Sequence, residues 1–283
     1  MTRPNLTKES SFLNLLEESF PRIKANILRC EKLGFPWNSK PFLKEEKGEI
    51  LSHVGFLEYP IQIDGKHHKA AALHAICTKT TYRGQGLASQ LIQEALQWAE
   101  KWYEFVILFT EIPKFYEKLS FQSIQESRFH LMRKQPKGSK LLRPVVSPQD
   151  NALLSSCFHH RAPLSNCLWV KENGDIAAFN TLFATYPTFW SLHYSPSING
   201  MISYEIKDKT LHLYDIISKE LPSLDLILDH LPTAIDEIYF CFSPDRFTNA
   251  AIPEPYLYDH GHFLVHGNWP STKPFMIPPL SRC

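Results

Sequence analysis

Apolar residues recur at helical spacing at Phe12, Leu15, Leu16 and Phe20, then at Ile23, Ile27 and Leu28 beyond Pro21. This predicts one or two amphipathic helices. From Glu49 to Thr78 the pattern becomes extended. Ile50–Tyr59 and Ile61–Ile63 lead into Asp64-Gly65, a strong hairpin-turn dipeptide, and Ala70–Thr78 (AAALHAICT) reads as a strand covered on both faces. A helix follows, with Leu87, Leu91, Ala95 and Ala99 along one side, reinforced by Ala88, Ile92, Leu96 and Trp102. Gln90, Gln93, Glu94, Gln97, Glu100 and Lys101 fill the other side. Phe105–Phe109 is the next apolar strand, and Pro113–Leu119 suits a short helix opening on proline.

The basic, proline-bearing stretch Arg133–Pro148 (RKQPKGSKLLRPVVSP) lacks long apolar periodicity and reads as a connector between two halves of similar length, 1–136 and 137–283. Beyond it the pattern predicts a helix near Gln149–Phe158 and strands near Leu168–Val170 and Ile176–Ala184. A hairpin of Met201–Ile206 and Leu211–Ile217 follows around KDKT, then a helix over about Leu221–Leu231 and strands at Glu237–Phe242 and His262–His266. The fold class is α/β (or α+β), with two sheets and helices packed on them.

Composition narrows the function. The 283 residues carry a net charge of +1, which gives no general field for nucleic acid or an anionic membrane. The N-terminal stretch has no apolar signal region, and no run of about 18 apolar residues occurs, so a cytoplasmic protein without a membrane partner is expected. The six cysteines include no CxxC pair and read as reduced thiols. With Gly 11 in the whole chain, glycine is scarce, yet Gly84 and Gly86 stand one residue apart.

Those glycines lie between a buried strand and an amphipathic helix, in ICTKTTYRGQGLASQLIQEAL. The first N–H groups of a helix lack internal partners and carry the positive end of its dipole. Glycine admits a phosphate close to the main chain, and Arg83 adds a charged donor. A dinucleotide fingerprint is disfavoured, because Ser89 holds the third glycine position and Glu111 falls later than the usual acidic residue. No Gly-Lys-Ser/Thr of a P-loop is present.

The hexapeptide Arg83-Gly84-Gln85-Gly86-Leu87-Ala88 resembles the Q/R-x-x-G-x-G/A signature of the GNAT family of acyl-CoA-dependent N-acetyltransferases. The resemblance extends over about Glu49–Lys134. It includes the apolar strand before the motif, the helix and strand after it, and Phe115–Phe121 (FYEKLSF), similar to the family's F-Y-x-x-x-G-F with Ser120 replacing glycine. It implies a mixed, mostly antiparallel sheet flanked by helices. The amides of Arg83–Ala88 would cradle the pyrophosphate of acetyl-CoA (coenzyme A), and the main chain of Ile76 and Thr78 would pair with the pantetheine arm. The thioester would lie in the gap where the family's fourth and fifth strands splay. The activity implied is transfer of acetyl to a primary amine by direct attack in a ternary complex, in a monomer or homodimer. A pseudo-acetyltransferase that binds coenzyme A or a partner without turnover is the alternative.

Tyr116 matches the tyrosine that many family members place near the thioester sulfur, where a phenol can donate a proton to the leaving thiolate. His74 is the best base candidate. It interrupts the apolar strand two residues before Ile76, so both side chains are expected on one sheet face, with Cys77 on the other. A hydrogen-bonded core histidine is the competing reading of His74, and Glu58, Glu111 or a water are alternative bases. The pairs His67-His68, His159-His160 and His260-Gly-His262 lack metal-ligand spacing, so no metal is expected. The second half has strands, a helix and more strands in GNAT-like order, with no glycine in the SKELPS stretch before its helix. It resembles a degenerate GNAT-like domain, expected to bind no acetyl-CoA but to shape the acceptor pocket of the first half or support dimerisation, with a small-molecule or peptide amine as acceptor.

Overall fold

The computed structural model describes residues 6–32, 34–171, 174–182 and 188–283. The chain opens with two helices, α1 (Leu6–Ser19) and α2 (Ile23–Lys32). Strands β1 (Lys40–Glu46), β2 (Glu49–Ile63) and β3 (Lys66–Thr78) follow, then α3 (Leu87–Ala99), β4 (Phe105–Thr110), α4 (Pro113–Glu117) and β5 (Gln122–Ser123). The middle of the chain runs β6 (Glu126–Gln135), β7 (Arg143–Val146), α5 (Asn151–His160), β8 (Leu168–Val170), α6 (Gly174–Leu182) and β9 (Thr188–Ser195). The remainder is β10 (Gly200–Lys207), β11 (Thr210–Ser218), α7 (Leu224–Leu228), β12 (Ile235–Phe240), β13 (Ile252–Tyr256) and β14 (His262–Gly267).

These strands make two seven-stranded mixed sheets. The first has the order β1-β2-β3-β4-β14-β5, with β8 also pairing β2; the second has the order β13-β6-β12-β11-β10-β9-β7. Neither sheet is one continuous stretch of chain. The strand Glu126–Gln135, just before the connector at 136, pairs in the second sheet, and His262–Gly267 returns to the first, antiparallel to β4 from His262↔Thr110 to Gly267↔Phe105. The last residues complete the return. Glu126 is buried and ion-paired to Arg282, while its Oε1 accepts the Ile277 amide at 2.9 Å; the Tyr59 hydroxyl donates to Ser281 O at 2.6 Å.

Local chemistry explains most of the elements. Asp64 (φ 49°) and Gly65 (φ 76°) form the expected left-handed hairpin turn, and Asp208 (φ 49°) with Lys209 (φ 64°) forms a second one inside KDKT. On one face of the first sheet Leu91, Ile92, Ala95, Leu96 and Ala99 of α3 pack on Val54, Phe56, Ala71, Leu73, Val106 and Leu108. The other face is covered by α1 and α2 over Ile50 and Cys77, and by Phe275 and Ile277 over Tyr59, Ile61 and Ile107.

Some expectations change. Residues 176–182 of the expected strand Ile176–Ala184 lie in a helix, because Ala177, Ala178 and Thr181 bury one helical face and Asp175 accepts the Ile176 amide at 2.9 Å; residues 183 and 184 lie outside the described residues. The helix expected over 221–231 shrinks to Leu224–Leu228, capped by Ser223. The proline-rich segment Ile252–Tyr256 is an unanticipated strand; it lies at the sheet edge, where missing N–H donors are tolerated. Among the described residues no helix is long and apolar enough to cross a membrane, and no group of His, Cys, Asp or Glu is placed to hold a metal. The six cysteines are all thiols.

Because β14 fills the slot between β4 and β5, Leu264, fully buried against α3-side residues, is a core residue of the first sheet. Leu264→Ala is expected to lower unfolding stability by about 2–5 kcal/mol. In urea denaturation, a loss below 1 kcal/mol would show that this strand is peripheral.

Candidate functional site

The site is set by where two strands stop pairing. β3 and β4 are parallel neighbours only from Ala70↔Phe105 to Ala72↔Ile107. Beyond that point Leu73–Thr78 diverges from the end of β4, as a β-bulge in β3 disrupts the ladder with β2. His53 faces Cys77 and Gly55 faces His74, so two steps on β2 span three on β3. The extra residue is Ala75, held at φ 47°. The imidazole of His53 donates from Nδ1 to Ala75 O at 2.7 Å, and the Ser52 hydroxyl donates to Cys77 O at 3.0 Å, so the bulge is clamped from β2.

The bulge reverses the phase of the strand. Ile76 packs on the α3 face with Leu73, whereas His74 lies on the opposite face beside Trp37 (ring centroids 5.0 Å) and bonds Ser39 Oγ through Nε2 at 2.7 Å. The expectation that His74 and Ile76 share a face fails because simple alternation ignores the inserted residue. His74 also lies across Gly55, where a Cβ would stand 2.6 Å from Nε2, so only glycine fits opposite it. Burial, with the nearby His53 adding to it, pushes the His74 imidazole down to about 3, and burial pushes His53 down to about 4. Both rings are neutral at physiological pH.

On the α3 side a cleft of about 570 Å³ collects most of the residues singled out in the sequence: Ile76, Thr78, Arg83, Gly84, Gly86, Leu87, Ala88 and Tyr116 all line it. Gln85 is exposed between the glycines and contributes to the loop but not to that wall. Gly84 (φ 78°) and Gly86 (φ 79°) take conformations that cost other residues about 1–2 kcal/mol. The first helical bond of α3 runs from Gln90 N to Gly86 O at 3.0 Å, leaving the N–H groups of the first turn without intrahelical acceptors and facing the cleft end. The Arg83 guanidinium donates through Nε to Thr78 O at 3.1 Å, which ties the loop to the strand and engages the carbonyl that the resemblance assigned to the pantetheine arm.

Other wall residues carry no local sequence signal. Ser19 and Phe20 at the end of α1 line the same cleft, and the neighbouring Glu18 carboxylate accepts from Thr80 N (3.1 Å) and Thr80 Oγ1 (2.6 Å). A contact about 60 positions apart in the chain leaves no periodicity to read.

Tyr116 lies at the inner end of the cleft, buried, with its ring edge-on to Phe115 (4.8 Å). Ser120 adopts φ 64°, and Phe121 N reaches back to Tyr116 O at 3.2 Å, closing the short helix as the family's glycine would. The departure is therefore one of residue and not of conformation. Burial raises the Tyr116 phenol to about 12, against a smaller opposing effect of a hydrogen bond from Thr110. Thr110 in turn lines a second cleft, about 890 Å³, between the two sheets, so Tyr116 and Thr110 form the partition between the two. Glu111 is on that second cleft, while Glu58, opposite Ala71 and bonded by the Tyr103 hydroxyl at 3.2 Å, lies toward the other end of the sheet.

The two depressed histidines make stability pH-dependent. Their folded-state affinities for a proton lie below the unfolded value near 6.5, so the unfolded chain binds those protons first. Stability is then complete above pH 6.5 and declines as pH falls toward 4, at roughly 1 kcal/mol per pH unit for each ring. Urea midpoints at pH 7.5 and 5 are expected to differ accordingly, and His53→Phe, which removes one of the two rings, should flatten that slope. Equal slopes in both proteins would contradict it.

Residues 4–124 match the family model described as an acetyltransferase (GNAT) domain. A search of curated proteins finds none that matches the sequence. Among solved structures, the chain is similar to Eis1 from Mycobacterium abscessus at 13% identity and TM-score 0.59, covering 93% of this chain and 72% of that one. It is similar to a probable N-acyltransferase from Enterococcus faecalis V583 at 12% identity and TM-score 0.52, covering 91% and 70%. A GCN5-related N-acetyltransferase from Anabaena variabilis ATCC 29413 is similar at 14% identity and TM-score 0.52, covering 93% and 71%. At such identities the likeness is one of fold, and it takes in both sheets. The family model is matched over the strand, loop, helix and tyrosine that build the cleft, so residues 4–124 are a GNAT acetyltransferase domain by that match.

Proposed function

We propose that this protein transfers an acetyl group from acetyl-CoA to a primary amine by direct attack in a ternary complex. The observation that carries the reading is the continuity of one cleft from the Gly84–Gly86 loop, past Ile76 and Thr78 in the strand gap, to Tyr116. The free N–H groups of the first turn of α3 offer an anion site for a pyrophosphate. Ile76 and Thr78 stand beside a stretch of β3 without a β4 partner, where an extended pantetheine amide can pair with main chain. Acetyl-CoA supplies the activated acetyl group; the amine nitrogen forms a C–N bond to the carbonyl carbon as the C–S bond breaks, and one amine proton leaves to solvent or a base.

Tyr116 fits a donor role at the sulfur with one refinement. A phenol at about 12 is fully protonated at neutral pH, yet an ordinary thiol titrates near ~8.5, so complete transfer would be uphill by roughly 5 kcal/mol. The hydroxyl therefore stabilises the departing thiolate by a hydrogen bond, and the thiolate takes its proton later from water.

For the base, Glu111 is better placed than His74. His74 is neutral and of low basicity, engaged with Ser39 on the far face of β3, whereas Glu111 is exposed at the end of β4, next to Thr110, where a water can relay the proton. The second sheet contributes no anion-binding turn and walls the acceptor side.

Calorimetric titration with acetyl-CoA is expected to show saturable binding, and no heat at high micromolar ligand would end the reading. Gly86→Glu, which adds bulk and negative charge at the loop, should abolish that binding. Tyr116→Phe should lower kcat about 10- to 100-fold with the KM for acetyl-CoA within about twofold. An unchanged kcat would remove the tyrosine from the chemistry.

A further inference from the structure

The cleft between the sheets has walls that specify an occupant. It is about 890 Å³, within the range of roughly 300–1,000 Å³ typical of small-molecule sites. Phe109, Thr110 and Glu111 bring the end of β4 to it, and Tyr214, Tyr256 and Tyr258 face it from the second sheet and the return to β14. Its charges are unequal in availability. Lys207 pairs with Glu205 at 2.9 Å, and Arg282 is ion-paired to buried Glu126. Glu111 and Asp259 are carboxylates on the cleft with no ion pair recorded among the described residues.

We propose that this cleft is the acceptor site and that it takes a primary ammonium carried on an aromatic or apolar body, with no carboxylate beside the amine; the assignment rests on the transferase reading above. Thr110 fixes the polarity of the bound molecule. Thr110 and Glu111 line this cleft while the next residue, Ile112, lines the cleft that holds Tyr116, so the amine arrives at Thr110 and Glu111 to meet the acetyl group. Glu111 attracts the ammonium to that end. The body then extends toward Tyr214, Tyr256 and Tyr258, which offer aromatic surface for it to pack on, Arg128 and Arg282 already covering one face of Tyr256 and Tyr258. A carboxylate beside the amine would meet Glu111 without a free cation to answer it, since Lys207 and Arg282 already have partners. An extended peptide is disfavoured by the cleft's size.

The test separates binding from turnover. Phenethylamine, phenylalanine and phenylacetate are titrated calorimetrically into the full chain, with and without coenzyme A. Phenethylammonium is expected to bind at least tenfold more tightly than either carboxylate. Glu111→Gln combined with Asp259→Asn should weaken it at least tenfold while leaving the affinity for coenzyme A within twofold. Asn also tolerates the left-handed φ of 48° at position 259, and an unchanged melting temperature would certify the fold. Should the double variant unfold, Glu111→Gln alone, at an exposed position, gives the same reading through a threefold or greater loss. Phenylalanine binding as tightly as phenethylamine, or a folded variant binding as wild type does, overturns the proposal. If phenethylamine binds as stated but no acetyl transfer follows, the transferase reading fails and the site stands. If other amines are acetylated and phenethylamine neither binds nor reacts, the site assignment fails and the transferase reading stands.

Discussion

The single inserted residue in β3 governs the site. An undisturbed parallel pair of β3 and β4 would close the sheet with main-chain hydrogen bonds and leave no gap for an extended ligand. Ala75 at φ 47° carries a cost of order 1–2 kcal/mol for a residue with a Cβ, so the bulge exists only because the surroundings over-determine it. His53 and Ser52 supply that determination from β2, with bonds of 2.7 and 3.0 Å to carbonyls that the broken ladder would otherwise orphan. The two histidines, His53 buried and His74 half-buried, thus have structural duties. One clamps the bulge; the other fills the space across Gly55.

The second constraint is the exchange of strands between the sheets. Strand β6 leaves for the second sheet directly after β5, and the vacated position beside β4 is taken by β14 from the far end of the chain. Neither sheet can reach its full pairing without the other, and the tail that follows β14 is bolted down through Glu126, Arg282 and Ser281. The walls of the inter-sheet cleft come from strands of both sheets and from the tail that follows β14.

Much of the cleft on the α3 side was legible in the sequence because it is local. The run from Ile76 to Ala88 couples a strand, two glycines and a helix start, and each of those features has a short-range signature: apolar continuity, scarce glycine, helical periodicity. Tyr116 was legible as part of a motif, and the structure explains how Ser120 substitutes for glycine there, by accepting φ 64°. The orientation of His74 was not legible. Alternation of side chains assumes an unbroken ladder, and nothing in AAALHAICT marks where β2 will force an insertion. Strands such as Ile252–Tyr256 and the placement of β14 depend on partners more than a hundred residues away, which periodicity within a segment cannot encode.

The division of labour between the two halves follows from these facts. The first sheet opens a gap that ends at the first turn of α3, and in the proposed function that combination holds the activated acyl donor but offers little to an amine. The polar aromatic surface that an ammonium needs is on strands of the second sheet, brought within reach of β4 by the return of β14. Thr110 and Glu111 on one cleft, and Ile112 and Tyr116 on the other, mark where the two sides meet. On the proposed reading, a second half without its own phosphate-binding turn is no vestige: it would supply the acceptor wall that the first half, opened by its bulge, lacks.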